Sequence, residues 1–248
     1  MIETFSQLPQ GVYVGQTKVN EPFALASPDV ALQGFNLALH VNDQSQRVQQ
    51  HRLQLLQQFL PYGVKQLTWL NQTHSTICHR VDEQCQFHAL TGDGLVTSQR
   101  GHALMILTAD CLPIALGNAD GSEIANLHAG WRGLAQGMIE HTLAQMKTPA
   151  QWAYLGAAIS QQCFEVGQDV KDAFIQRYAD VESAFLWQAH TGKYYADLYA
   201  IARFILQKHG VTTIIGGEQC TYQSTDYYSY RRQAHTGRMA TFVFMRDE

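Results

Sequence analysis

Four positions in the sequence place ionisable groups at the ends of apolar runs: His74, Asp93, the pair Asp110-Cys111, and His128. Burying such groups in mid-core is costly without partners, whereas strand ends and the loops after them are where sites usually sit. Two histidines and one cysteine (His74, Cys111, His128) form a ligand set suited to zinc. Three protein ligands leave a fourth position open to water or substrate, the pattern of a catalytic rather than a structural zinc, and the chemistry would be activation of a water near neutral pH. The three residues are far apart in sequence, so spacing alone leaves open the plainer reading of core histidines and a small buried thiol.

Two further segments carry chemical potential. His128-Ala129-Gly130-Trp131-Arg132-Gly133 leads into a predicted helix. Glycines there let backbone N–H groups face a ligand, and a helix N-terminus favours an anion; a plain tight turn explains the same residues. No Gly-Lys-Ser/Thr follows, so this is not a phosphate-binding loop of the Walker type. Near the C-terminus, Tyr227-Tyr228-Ser229-Tyr230-Arg231-Arg232 is followed by Thr236-Gly237-Arg238. Aromatics beside arginines can stack a base or sugar and bind phosphate, or form a solvated basic face.

The elements that must position these groups follow from periodicity. Asp43–Phe59 reads as a helix with Leu53, Leu55, Leu56 and Phe59 on one side. Gln66–Leu70 and Thr76–Val81 read as strands flanking Asn71-Gln72-Thr73-His74, and Ala103–Thr108 as a buried strand. Pro113–Gly117 and Glu123–His128 form a strand pair joined by Asn118-Ala119-Asp120-Gly121, a hairpin signal. Leu134–Met146, Val170–Tyr178 and Leu198–His209 read as helices, the last capped by Asp197. Trp152–Ile159, Val211–Ile215 and Met239–Phe244 complete the strands. Interleaved helices and strands with a tight hairpin predict a mixed sheet: an α+β (mixed α/β) fold in one domain spanning residues 1–248.

Composition is that of an ordinary folded chain: 248 residues, 46% hydrophobic, 15% charged, net charge −4. The acidic balance argues against a nucleic-acid partner, and no apolar run reaches the roughly 20 residues of a membrane span. Met1–Gln10 lacks a basic and then apolar leader. Five cysteines, Cys78, Cys85, Cys111, Cys163 and Cys220, show no disulfide framework, which predicts free thiols in a reducing cytoplasm. Cys78 and Cys85 are expected in or beside a strand, and Cys163 and Cys220 in polar loops; none of these four is assigned chemistry. His79, His88, His102, His141, His190 and His209 are read as structural or solvated.

Six motifs in one order make the chain recognisable: Asn71-Gln72-Thr73-His74, Asp93-Gly94-Leu95-Val96-Thr97, Ala109-Asp110-Cys111-Leu112-Pro113, His128-Ala129-Gly130-Trp131-Arg132-Gly133, Cys163-Phe164-Glu165-Val166-Gly167, and Tyr230-Arg231-Arg232 with Thr236-Gly237-Arg238. The sequence resembles, over nearly its whole length, the family of multicopper polyphenol oxidase or laccase domains. Members of that family are described as purine nucleoside phosphorylases with adenosine deaminase and methylthioadenosine phosphorylase activity. The resemblance implies a metal held by His74, Cys111 and His128, zinc or alternatively copper, and a fold like the cysteine hydrolase domain of a cytotoxic-necrotizing toxin. It implies a purine nucleoside and phosphate as ligands of a monomer or weak dimer. Substrate contacts are expected at Asn36, Arg52, Gln72, Arg132, Arg231 and Arg238, and catalytic roles at Cys111, His128 and Asp110. Near the N-terminus the chain departs from the family's Gly- and Ser-rich segment: Ala26-Ser27-Pro28-Asp29 precedes Gly34-Phe35-Asn36-Leu37.

The oxidase name can be weighed on residues alone. A multicopper laccase needs His-x-His pairs and a cysteine between histidines. This chain has eleven histidines and neither pattern, although one His₂Cys site also suits a single copper. The zinc-deaminase signature His-x-Glu…Pro-Cys-x-x-Cys is likewise absent. A metal-free thiol hydrolase, with Cys111 as nucleophile and His128 as base, is the remaining enzymatic alternative, and a non-catalytic binding protein the other.

Overall fold

In the strand His102–Thr108 successive side chains pack into different cores. Ala103, Met105 and Leu107 join Leu55, Phe59, Phe242 and Phe244, while Leu104 and Ile106 join Ala115, Ile124 and Trp152. Both faces of this strand are therefore buried, and the chain builds layers on either side of it. The computed structural model describes residues 1–82 and 90–247; Cys85 and His88 lie outside the described residues.

In chain order, β1 (Ile2–Glu3) and β2 (Val12–Gln16) precede helix α1 (Ser45–Phe59). Next come β3 (Gln66–Thr68), β4 (Leu70–Asn71), β5 (Cys78–Arg80), β6 (Leu90–Thr91) and β7 (Gly94–Thr97). The strands β8 (His102–Thr108), β9 (Leu112–Gly117) and β10 (Ile124–Ala129) lead into helices α2 (Trp131–Ala135) and α3 (Met138–Gln145). The remainder is β11 (Trp152–Leu155), β12 (Glu165–Val166), α4 (Gln168–Ile175), β13 (Phe185–Gln188), β14 (Lys193–Ala196), α5 (Leu198–Lys208), β15 (Thr213–Gly216) and β16 (Met239–Met245).

In place of the one mixed sheet that the sequence predicts, two large mixed sheets pack face to face. One has the order β1-β2-β16-β8-β3, the other β15-β11-β9-β10-β7-β5. Each is mostly antiparallel with parallel pairs at its margins: β3 with β8, β11 with β15, β5 with β7. Helix α1 covers the outer face of the first sheet, and α2 to α5 cover the outer face of the second, where Leu112, Ile114 and Leu127 meet Leu134, Phe174 and Ile201. The result is a four-layer mixed α/β fold. Asn126 ties the sheets together: its amide nitrogen donates to the carbonyls of Leu104 and Thr241, both at 2.9 Å.

The hairpin forms as expected, with Ile124 opposite Gly117 and the Asn118 side chain accepting from Ser122 and Glu123 N–H groups. Asp197 caps α5 by accepting from Ala200 N. Other boundaries differ for local reasons. Asp43 stays outside α1 because its carboxylate is taken by Arg47 and Asn36. The helix predicted over 134–146 is two helices, broken where Gly137 adopts φ +96° with Arg177 packed where a side chain would stand. The strand predicted over 66–70 splits between two sheets, β3 and β4. That predicted over 152–159 stops at Leu155, where Gly156 N–H turns to the Pro113 carbonyl.

The topology gathers several strand ends at one edge of the sandwich. Met239 at the start of β16 faces Thr108 at the end of β8. Leu112 at the start of β9 faces Ala129 at the end of β10, and Gly94 at the start of β7 faces Leu127. The link between β8 and β9 also carries the chain from one sheet to the other at this edge.

His102, at the start of β8, is 2% exposed; Thr68 Oγ1 lies 2.6 Å from its Nε2 and Gln99 Oε1 3.3 Å from its Nδ1. Burial pushes this imidazole down to about 4, so it stays neutral in the fold while an unfolded histidine titrates near 6.5. Between those values the unfolded chain binds a proton that the folded chain refuses. Its contribution is thus complete above about pH 6.5 and is lost as pH falls toward 4, by up to about 3 kcal/mol. Urea midpoints measured from pH 7 to pH 4 should fall less steeply in His102→Gln than in the parent; an unchanged slope would assign the acid sensitivity elsewhere.

Candidate metal centre

Asp93, immediately before β7, has no solvent exposure. Its carboxylate accepts from the backbone N–H groups of Thr73, His74 and Ser75 (3.2, 3.1 and 2.6 Å) and from Ser75 Oγ at 2.7 Å. The same group lies 2.8 Å from His128 Nδ1, and the His128 N–H donates to the Asp93 carbonyl at 2.7 Å. One carboxylate thereby fixes the loop bearing His74 against the end of β10. Burial raises the Asp93 carboxyl, but His128 and the Ser75 donors outweigh it and hold the group down to about 2.

With Nδ1 engaged by Asp93, His128 presents Nε2 to Cys111 and His74. Ligand atoms of the three residues all lie within 4.8 Å of one another, and Cys111 Sγ is 4.0 Å from His74 Nε2. A zinc ion takes thiolate sulfur at about 2.3 Å and imidazole nitrogen at about 2.0 Å, so the Sγ–Nε2 pair stands near the spacing that a shared ion would need. Gly130 makes the approach possible. A Cβ there would stand 3.0 Å from the His74 ring, 3.2 Å from His128 and 3.3 Å from Cys111 Sγ. Donor types, spacing and the carboxylate behind His128 all suit a metal ion.

The backbone is strained at this edge. His74 (φ +59°) and Asp110 (φ +97°) adopt left-handed conformations that side chains other than glycine rarely take, at a cost of about 1–3 kcal/mol each. Partners hold both: His74 through its N–H to Asp93, and Asp110 through Thr221 Oγ1 at 2.6 Å and the Arg231 N–H at 2.6 Å. Without metal, charge concentrates on Cys111 and His128. Burial raises the thiol, but His128 and then His74 outweigh it and bring Cys111 down to about 6. Burial lowers His128, but the Cys111 thiolate and Asp93 outweigh it and lift the imidazole to about 9. Each group thereby favours the charged form of the other.

The trio opens into a cavity of about 450 Å³. Arg132, Arg231 and Arg238 line it together with Trp131, Phe164, Tyr230 and Gln72. Arg132 lies over the Trp131 ring at 4.4 Å and has no hydrogen-bond acceptor among the described residues, so its donors are free. Arg231 lies over Phe164 at 5.3 Å and donates to the carbonyls of Cys163 and Glu165. Arg238 lies over Tyr230 at 5.8 Å, and burial lowers its guanidinium. Gln72 spends both ends of its amide on the Leu107 backbone, at 2.8 Å each.

Two expected substrate contacts sit behind the cavity wall. Asn36 is fully buried and its Oδ1 accepts from the Arg238 N–H at 2.9 Å. Arg52 lies over Trp69 at 4.1 Å and donates twice to the Leu37 carbonyl. Sequence reasoning passed over His40, which lines the cavity; burial and then the charges of Arg238 and Arg52 lower its imidazole. Its only sequence signal is proximity to Asn36.

A Pseudomonas aeruginosa protein named purine nucleoside phosphorylase is 38% identical over 216 residues, covering 86% of each chain. A protein from an unknown prokaryotic organism named adenosine deaminase RL5 is 34% identical, covering 86% of this chain and 88% of its own. The crystal structure of a Neisseria meningitidis protein superposes with a TM-score of 0.90 at 37% identity, covering 100% of this chain and 99% of that one. The family described as multi-copper polyphenol oxidoreductase laccase matches residues 26–246. That span contains Asp93, the His74–Cys111–His128 trio and the three cavity arginines, and the chain belongs to this family.

Proposed function

We propose that this chain is a zinc-dependent purine nucleoside enzyme. It would cleave adenosine, inosine, guanosine and methylthioadenosine with phosphate to the base and (methylthio)ribose 1-phosphate, and deaminate adenosine to inosine. The observation that carries the reading is the convergence of a metal-competent trio, three guanidiniums and three aromatic faces on one cavity, in a chain whose relatives are named for these activities. A zinc ion at the trio would supply Lewis-acid polarisation of a water or substrate heteroatom.

The chain's own groups divide the remaining work. In phosphorolysis a phosphate oxygen forms a bond to the ribose anomeric carbon as the bond to the purine nitrogen breaks. Arg132, with uncommitted donors, and Arg231 and Arg238 bind the phosphate by charge-assisted hydrogen bonds. Trp131, Phe164 and Tyr230 offer faces for the base and sugar. His40, disfavoured as a cation, adds a neutral imidazole. Asp110, both of whose oxygens are engaged, acts by positioning Arg231 and Cys111. Asp93 keeps the Nδ1 proton on His128 and aims Nε2 at the metal. Asn36 acts through Arg238, and Arg52 through His40. The described thiols suit a reducing cytoplasm, and no helix among the described residues is long and apolar enough to cross a membrane.

The depressed Cys111 thiol beside His128 favours one second reading, a metal-free Cys–His hydrolase, for which the toxin-like cysteine hydrolase fold is the analogy.

Several experiments test these readings. Metal-loaded protein incubated with adenosine and phosphate should yield adenine with ribose 1-phosphate, or inosine, by mass spectrometry. Cys111→Ala should lose metal and turnover together. Turnover that survives chelation but stops on thiol alkylation would favour the hydrolase, and stoichiometric copper with oxygen uptake on phenols would favour an oxidase. Separately, Asp93→Asn replaces an acceptor-only group with one that presents N–H toward N–H donors. Competition with a chelator should show metal affinity reduced about 10- to 100-fold; parental affinity would remove Asp93 from the centre's design.

A further inference from the structure

Between β15 and β16, residues 217–238 run without a helix or a strand. Such a stretch leaves backbone carbonyls without the partners that regular elements supply. It nevertheless carries Tyr230, Arg231 and Arg238 to the cavity wall. The chain neighbour of Arg231 gathers this loop. The Arg232 guanidinium reaches back along its own segment, from Nη1 to the carbonyls of Thr221 and Tyr222 at 2.8 Å each and of Ser224 at 3.2 Å, and from Nη2 to that of Tyr227 at 2.6 Å. It donates to no carboxylate among the described residues. Its backbone N–H donates to Ser229 Oγ at 3.2 Å, and the Gln233 N–H to the Ser229 carbonyl at 3.0 Å.

The residues that Arg232 draws together are the ones that grip Asp110. Thr221, whose carbonyl it holds, donates through Oγ1 to Asp110 Oδ1 at 2.6 Å, and Arg231 donates its N–H to Asp110 Oδ2 at 2.6 Å. The loop has two further anchors. The Thr221 N–H donates to the Ala158 carbonyl at 3.0 Å, and the buried Tyr228 donates to the Gln33 carbonyl at 2.7 Å. Arg232 bridges these anchors, because its acceptors Thr221 and Tyr222 lie at the first and Tyr227 beside the second. A planar guanidinium with five N–H donors in fixed directions suits that task, and a point-like ammonium does not. Arg232 is itself exposed, so replacing it removes the bridge and leaves the core in place.

We propose that Arg232 is a positioning residue: it clasps the loop 221–232 by its carbonyls and thereby sets Arg231 for an anion that Arg232 does not touch. This rests on the reading of Arg231 as a phosphate contact. In the sequence the two arginines are equivalent members of one basic cluster. In the fold Arg231 lines the cavity, and Arg232, outside that lining, spends its donors on the backbone.

The test titrates the metal-loaded full chain with inorganic phosphate in a calorimeter. Arg232→Ala should weaken phosphate about tenfold, and Arg232→Lys should be nearly as weak, because it keeps the charge and loses the fork. Guanidinium ion, well below denaturing concentration, should restore affinity to Arg232→Ala, whereas the same concentration of sodium chloride should not. In an Arg231→Ala background, Arg232→Ala should cost less than about twofold, since its effect passes through Arg231. An undiminished loss in that background would make Arg232 a phosphate contact in its own right and overturn the proposal, as would parental affinity in Arg232→Ala. Amide exchange gives a readout that needs neither phosphate nor turnover. Residues 221–232 should exchange faster in Arg232→Ala and slow again with guanidinium, while β8, β9 and β10 keep parental rates. Unchanged exchange across 221–232 would overturn the clasp. If the parent itself takes up no phosphate, the reading of Arg231 falls together with the effect on affinity, and exchange that depends on Arg232 still upholds the clasp.

Discussion

A single buried carboxylate organises this protein's functional edge. Asp93 has no access to water, and an isolated charge there would be prohibitively expensive. It is stable because the loop Thr73–Ser75 and His128 surround it with donors. The dependence is mutual. The loop makes no long strand of its own, and His74 holds a left-handed backbone conformation within it. The ordering of that loop and the orientation of His128 both trace to one charge and the hydrogen bonds that satisfy it.

The layered architecture makes such concentration possible. Two sheets share a core filled by Val14, Leu104, Ile106, Ala115 and Trp152, and their outer faces are closed by α1 and by α2 to α5. With packing spread over that interior, one edge can tolerate costs that a smaller core could not: two non-glycine residues at positive φ, a glycine where His74, Cys111 and His128 converge, and several guanidiniums side by side. The crossing from β8 to β9 sits at this edge, and the chain turn that changes sheets is the turn that carries Asp110 and Cys111.

Three thiols show how environment alone sets cysteine chemistry. Cys78, packed against Gly94 and Thr142, is an apolar filler with its thiol pushed up to about 12. Cys111 is brought down to about 6 by imidazoles, and Cys220 is lowered chiefly by the Ser160 hydroxyl and backbone donors. Identical side chains acquire different thiol acidities from what the fold places within a few ångströms.

Sequence by itself determined several local features and most of the inventory of the site. The 117–124 hairpin was legible because Asn118 to Gly121 supply turn chemistry between apolar runs, and the Asp197 cap because aspartate accepts from a first-turn N–H. The trio was legible as unusual groups at strand ends, and the motif order gave the family. Tertiary structure decided the rest. Periodicity cannot tell one sheet from two, because it reports which residues are buried and not against what. The break at Gly137 depends on Arg177 across space, and the role of Asp93 on donors some twenty and thirty-five residues away. His40 carried no local signal beyond its proximity to Asn36, since its surroundings are set by burial and by Arg238 and Arg52. Propensity and pattern are properties of short segments; desolvation, hydrogen-bond partnership and charge coupling exist only once those segments have met.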